Sequence, residues 1–217
     1  MRHSEATERR RPTAERERAL RAAGYARVAG ADEVGAGPLA GPLVAAAVIL
    51  PDDADLPGLD DSKKLTAKAR ARFAEEIRRQ AVAWAVFELP AAEVDRIGPY
   101  KGALTALAGA IRALDPPADY ALIDARPLPA LALPQESPIR GDGTHLCIAA
   151  ASVVAKVHRD GLMDALDAVF PGYGFARHKG YGTAEHLAAL ERLGPCPEHR
   201  RSYAPVRRLV APEPTLF

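Results

Sequence analysis

Eight consecutive apolar residues, Leu43 to Leu50, make the longest apolar run in the chain. That is the length of a buried β-strand and far short of the ~18–20 residues a membrane span needs. Just before it, Tyr25 to Ala31 reads as another strand, ending at Asp32-Glu33. Gly35-Ala36-Gly37-Pro38 follows, so the two strands form a hairpin with a Gly-rich connection. Thr66 to Gln80 is predicted helical, with apolar Phe73 and Ile77 on one face, and Val82 to Leu89 is a third strand. A short helix around Ala92–Arg96 and a longer one over Lys101–Leu114 come next, the second stopped by Pro116-Pro117. Tyr120 to Asp124 is a short buried strand. Leu146 to Val169 is a long helix whose Ala149-Ala150-Ala151-Ser152 face suits close packing on a sheet, and Thr183 to Leu193 is another helix. Hairpin strands followed by alternating helices and strands predict an α/β fold, a mixed sheet covered by helices.

A chain of 217 residues suits one large domain. With 48% hydrophobic and 26% charged residues, a wholly disordered chain is excluded. Cys147 and Cys196 are the two cysteines, and they form no CxxC pair. This argues against a disulfide framework or a Cys-rich zinc site and for a reducing, cytoplasmic setting. The formal net charge is +1, so nucleic-acid binding would have to rest on a local patch. Residues 1 to 23 are dense in Arg and Glu and read as a disordered or loosely helical extension without a signal-peptide core. Residues 207–217 belong to a Pro-containing tail.

Carboxylates mark strand ends and loop mouths. Asp32 and Glu33 end the first strand, Asp124 ends a buried one, and Asp142 sits in Gly141-Asp142-Gly143 before the long helix. Four carboxylates at one sheet edge would repel one another unless cations were bound, and oxygen-only ligands suit Mg²⁺ or Mn²⁺ rather than zinc. Two such ions ~4 Å apart organise an in-line attack of water on a phosphodiester. Ordinary alternatives stand beside this: a strand-end Asp forms turns, and Asp142 can cap the helix after it. Adjacent strand residues point to opposite faces, so Asp32 and Glu33 share a site only if the backbone turns sharply there.

Ala31-Asp32-Glu33-Val34-Gly35-Ala36-Gly37-Pro38-Leu39-Ala40-Gly41-Pro42 closely resembles the opening signature of the ribonuclease HII (type 2 ribonuclease H) family. So do Asp61-Ser62-Lys63-Lys64-Leu65, the segment Ile148 to Val157 with Arg159-Asp160 after it, and Pro171-Gly172-Tyr173-Gly174-Phe175. His178-Lys179-Gly180-Tyr181-Gly182-Thr183 and His199-Arg200-Arg201-Ser202-Tyr203-Ala204-Pro205 complete the set, in family order. The resemblance implies a ribonuclease H-like catalytic domain over residues 24–206, a five-stranded mixed sheet flanked by helices with a helical C-terminal portion. It implies an endonuclease that hydrolyses the RNA strand of RNA/DNA hybrids and incises 5′ of ribonucleotides embedded in duplex DNA, leaving 5′-phosphates, by a two-metal mechanism with Mn²⁺ or Mg²⁺. The family's metal-binding carboxylates fall on Asp32, Glu33 and Asp124, and its fourth active-site carboxylate on Asp142. Asp160 matches a further family acid, with an i,i+4 ion pair to Lys156 as the plainer and favoured reading.

Gly35-Ala36-Gly37 matches the family element that contacts the ribose 2′-hydroxyl through backbone groups, the atom that separates RNA from DNA. Tyr181 matches the tyrosine that packs on the neighbouring deoxyribose. Three departures stand out: Ala36 where Arg is usual, Gly143-Thr144 where a basic pair commonly follows the carboxylate, and Asp124-Ala125-Arg126 in place of Asp-Gly-Asn. Lys63, Lys64 and Lys179 are candidate phosphate contacts. Pro214-Thr215-Leu216-Phe217 loosely resembles the Leu-Phe ending of short motifs that dock on sliding clamps. The compact chain reads as a monomer. Two other readings are a ribonuclease HIII-like enzyme, which would carry an extra N-terminal substrate-binding domain, and a catalytically weak hybrid-binding module, which would lack a carboxylate.

Overall fold

A computed structural model describes residues 11–210. The continuous apolar run becomes strand β2, Leu43–Ile49, buried at every position and central to a sheet with helices on both sides. Strand alternation sends Val44, Ala46 and Val48 to one apolar layer and Leu43, Ala45, Ala47 and Ile49 to the other. β1 (Val28–Val34) and β3 (Ala83–Leu89) pair antiparallel with β2 on its two edges. β4 (Tyr120–Ile123) joins β1 in parallel, and the two-residue β5 (Gln135–Glu136) joins β4 in parallel. The five-stranded mixed sheet therefore has the order β3-β2-β1-β4-β5.

Helices α1 (Glu15–Ala22), α2 (Ala67–Gln80), α3 (Ala91–Ile97) and α4 (Pro99–Arg112) accompany the first strands. Then come α5 (Leu146–Val169), α6 (Phe175–His178), α7 (Ala184–Leu193) and α8 (Ala204–Val210). α2 and α5 cover one sheet face, through Phe73, Ile77, Ile148 and Val153 among others, and α4 covers the other through Leu107 and Ile111. The small-residue face of α5 lies flat on β1. A β-carbon added at Gly30 would stand 2.1 Å from the Cys147 carbonyl carbon, so only glycine permits that approach. A third apolar cluster, with Met163, Phe175, Leu190 and Val206, joins α6, α7 and α8 to the end of α5.

Three differences from the sequence reading matter. β1 continues through Asp32 and Glu33, which pair with Ala46 and Ala45, rather than ending before them. Residues 15–22 of the charged extension form α1. There Leu20 enters the core and the buried Glu17 accepts the Cys147 amide at 2.8 Å, so its carboxylate satisfies a free N–H in the first turn of α5. Finally, α8 runs on through residues 207–210 of the Pro-containing tail. No helix among the described residues is long and apolar enough to cross a membrane. The Leu216-Phe217 ending lies outside the described residues.

Candidate active site

β1 and its parallel neighbour β4 aim their C-terminal ends at one edge of the sheet, where the acidic residues gather. Asp32, buried on β1, lies on the side covered by α5, where the Ser152 hydroxyl favours its charged form against burial. Ser152 also meets Ser62 at 3.0 Å, which fixes the Asp61-Ser62-Lys63-Lys64 turn against α5. Glu33 faces the opposite side, where Arg126 reaches it at 3.2 Å. Asp124 follows β4 directly. Its amide donates to the Ala31 carbonyl at 3.0 Å, and its carboxylate accepts the Gly141 amide at 2.7 Å. That second bond draws in the 3₁₀ turn Gly141–Gly143, which carries the buried Asp142. Lys63 donates to Asp142 at 3.3 Å. Asp142 does not cap α5, because Glu17 serves the first turn of that helix.

The electrostatics are those of crowded, poorly solvated acids. Burial pushes the Asp32 carboxyl well above the usual range, and the charges of Glu33 and Asp124 add to it. Burial also raises Glu33, with Asp124 adding and Arg126 opposing. Asp124 is raised by burial and then by Asp142, against the Gly141 and Asp142 amides. Burial works against the charge on Lys63, yet Asp142 and Asp61 lift its ammonium above its ordinary value. Two cations, Lys63 and Arg126, thus face four carboxylates.

Among the described residues no three His, Cys, Asp or Glu side chains are gathered tightly enough to hold a metal ion as they stand. Strand alternation sets Asp32 and Glu33 on opposite sides of β1. The donor set still fits a hard divalent cation. Every donor atom is a carboxylate oxygen. The raised carboxyls of Asp32, Glu33 and Asp124 record a repulsion that a bound cation would relieve.

Beside the acids lies the Gly35-Ala36-Gly37 loop. Gly35 has φ +98°, and a β-carbon there would stand 2.3 Å from Arg159 Nε, so the loop needs glycine at that position. The half-exposed Tyr181 stands next to Gly37. The candidate basic contacts divide. Lys63 points into the acidic cluster, whereas Lys64 pairs with Asp60 at 2.8 Å and Lys179 is taken up by Asp164 and the Asp160 carbonyl. Asp160 pairs with Lys156 in the i,i+4 arrangement, and Arg70 stands 3.9 Å away. Sequence reasoning did not find Arg126, Ser152, Arg159 or Arg200 as parts of this region. The one local signal was that Arg126 follows Asp124 by two residues in a departing motif.

The chain matches a family model described as Ribonuclease HII over residues 29–206. Among curated relatives named Ribonuclease HII, that of Anaeromyxobacter sp. is 54% identical over 88% of this chain and 61% of its own length. The present chain therefore spans about three fifths of that relative. The one from Geobacillus thermodenitrificans is 56% identical over 88% of this chain and 73% of its own length. Three solved structures share the fold. The ribonuclease H2 of Pyrococcus horikoshii superposes with a TM-score of 0.70 at 21% identity, covering 84% of this chain and 96% of that one. The PCNA:ribonuclease HII complex of Archaeoglobus fulgidus gives 0.65 at 28% identity, over 76% and 85%. Bst ribonuclease HIII in complex with Mn²⁺ gives 0.67 at 20% identity, over 86% and 70%.

Proposed function

The chain belongs to the ribonuclease HII family, and we propose that it is a metal-dependent endoribonuclease. It hydrolyses the RNA strand of RNA/DNA hybrids and incises 5′ of ribonucleotides embedded in duplex DNA. The observation that carries this reading is the meeting of Asp32, Glu33, Asp124 and Asp142 at one sheet edge beside the Gly35-Ala36-Gly37 loop. Asp32, Glu33 and Asp124 are the residues that would hold Mn²⁺ or Mg²⁺, with Asp142 completing the acidic set. Such ions supply an activated water and charge stabilisation at the phosphodiester.

The chain's own groups do the rest. The Glu33 amide, which donates to Asp32 at 2.8 Å, orients the Asp32 carboxylate. The Gly141 amide orients that of Asp124. Lys63 and Arg126 hold Asp142 and Glu33 in place and offset part of their charge. The partly exposed Ala36 and the exposed Gly37 would meet a ribose, and the exposed Tyr181 beside Gly37 would pack on the next sugar. Docking of Leu216-Phe217 on a sliding clamp is part of the same proposal, supported by the PCNA complex of the Archaeoglobus relative. The deciding experiment is a Mn²⁺ and Mg²⁺ titration of cleavage on an RNA/DNA hybrid, with Asp124→Asn as control. Metal-dependent cleavage by the wild-type chain and none by the variant is the expected result. Equal cleavage by both would overturn the assignment.

A further inference from the structure

Arg200 is fully buried, and its guanidinium has no carboxylate partner among the described residues. Its two terminal nitrogens donate to the Gly-rich loop and its flanks instead, while Nε has no partner among the described residues. Nη2 donates to the carbonyls of Gly35 at 2.7 Å and Gly41 at 2.8 Å, and Nη1 to those of Pro38 at 2.9 Å and Ala36 at 3.1 Å. Nη1 also donates to the Tyr203 hydroxyl at 3.1 Å, and that hydroxyl donates in turn to the Ala36 carbonyl. The buried Arg159 of α5 holds the flanks. It donates to Pro42 at 2.9 Å, Ala40 at 3.3 Å and the Lys179 carbonyl at 3.0 Å, next to the segment that carries Tyr181.

A planar trans peptide points its carbonyl and its N–H in opposite directions. The Gly35 and Ala36 carbonyls are turned inward onto Arg200, so the next amides, those of Ala36 and Gly37, are turned away from it. Neither amide donates to a partner among the described residues. Successive free N–H groups on a loop with a buried positive charge behind them form a small site for an oxygen acceptor. The arrangement gives one guanidinium control over which way two adjacent peptide groups face.

We propose that Arg200 is the positioning residue for ribose recognition: it holds the Gly35 and Ala36 carbonyls inward so that the Ala36 and Gly37 amides are presented to the 2′-hydroxyl. The inference rests on the proposed ribonuclease function and adds the residue that sets the loop's donor geometry. Lysine at this position keeps the charge, but its three donors on one nitrogen cannot serve four carbonyls arranged around a planar fork.

The test is equilibrium binding, with Ca²⁺ in place of the active metals, to two matched duplexes, one all DNA and one with a single ribonucleotide. Cleavage in Mn²⁺ is followed in parallel. Arg200→Lys should lose about tenfold of the preference for the ribonucleotide duplex, as expected for a misdirected pair of hydrogen bonds, while its affinity for the all-DNA duplex stays within about twofold. Tyr203→Phe removes the second donor to the Ala36 carbonyl and one acceptor of Arg200, leaves the Arg200 bonds to the four carbonyls, and should lose about two- to fivefold of the same preference; it decides the matter if Arg200→Lys fails to fold. A preference unchanged in the folded variants, or affinity for both duplexes lost equally, overturns the role of Arg200. A wild-type chain that neither cleaves nor prefers the ribonucleotide duplex overturns the proposed function itself, which separates the two failures.

Discussion

Tyr181 lies beside Gly37: a β-carbon built on Gly37 would come within 3.9 Å of the Tyr181 Cε1. The aromatic ring and the Gly-rich loop therefore border one another, so a sugar read by the loop has a neighbour within reach of the ring. Aromatic packing on a nucleotide contributes about 1–3 kcal/mol, so Tyr181→Ala should reduce kcat/KM at a single embedded ribonucleotide by roughly ten- to hundredfold. An all-RNA strand should suffer less, because its 2′-hydroxyls already disfavour that packing. The measurement is kcat/KM on matched duplexes, and equal loss on both would make Tyr181 a structural residue.

Asp32→Asn should abolish cleavage, with a loss of at least about 3 kcal/mol of transition-state stabilisation. The same change should leave the metal-free protein as stable as the wild type or more so. It removes a buried charge that those of Glu33 and Asp124 repel while keeping the shape of the side chain. Thermal unfolding in chelator, read alongside hybrid cleavage, tests both halves. A variant that cuts at the wild-type rate would exclude Asp32 from the site.

Arg126 pairs with Glu33, which places a protein cation against an acid assigned to a metal. Arg126→Gln leaves that mostly buried carboxylate without its cation, and the metal-free protein should lose about 1–2 kcal/mol. Manganese should then stabilise the variant more than it stabilises the wild type, since it supplies the missing charge and binding adds to folding free energy. Urea unfolding with and without Mn²⁺ measures the difference. A smaller manganese effect in the variant would mean that Arg126 helps to build the metal site rather than standing in for the metal.

What could be read from the sequence follows sequence distance. β2 was legible because burial on both faces writes an unbroken apolar run, and Phe73 and Ile77 gave α2 through its period. β5 was not, because two partly buried polar residues at a sheet edge carry no such pattern. The charges of residues 1–23 left a disordered or a loosely helical extension equally open, and it is the buried Leu20 and Glu17 that hold α1 in place. The acids at the ends of β1 and β4 stood out because strand ends are local features. The contacts that shape the loop did not: Arg200 lies 165 residues beyond Gly35, and only folding brings the guanidinium to that carbonyl. Lys64 and Lys179 looked equivalent to Lys63 as isolated cations, and it took the fold to show their local acidic partners, Asp60 and Asp164.

The Cys196 amide donates to His199 Nδ1 at 3.0 Å, so His199 carries its proton on Nε2 and donates to His186 Nε2 at 3.0 Å. His186 then carries its proton on Nδ1 and donates to the Tyr181 carbonyl at 2.9 Å. The chain of bonds is complete only when both rings are neutral, and His178, stacked on His186 at 4.4 Å, adds a third imidazole to the cluster. Burial pushes His199 down to about 4, with His186 adding to the effect, and burial lowers His186 as well. A group depressed in the folded state binds its proton more readily when unfolded. The stability it contributes is therefore full above about 6.5 and is lost as pH falls from there toward about 4. Between pH 7 and pH 5 the loss assigned to His199 should be about 2 kcal/mol. His199→Gln, which cannot take up a proton in this range, should be less stable at pH 7 but lose less on acidification. Urea unfolding at a series of pH values, for wild type and variant, is the measurement. Parallel curves would show that His199 is not the group being titrated.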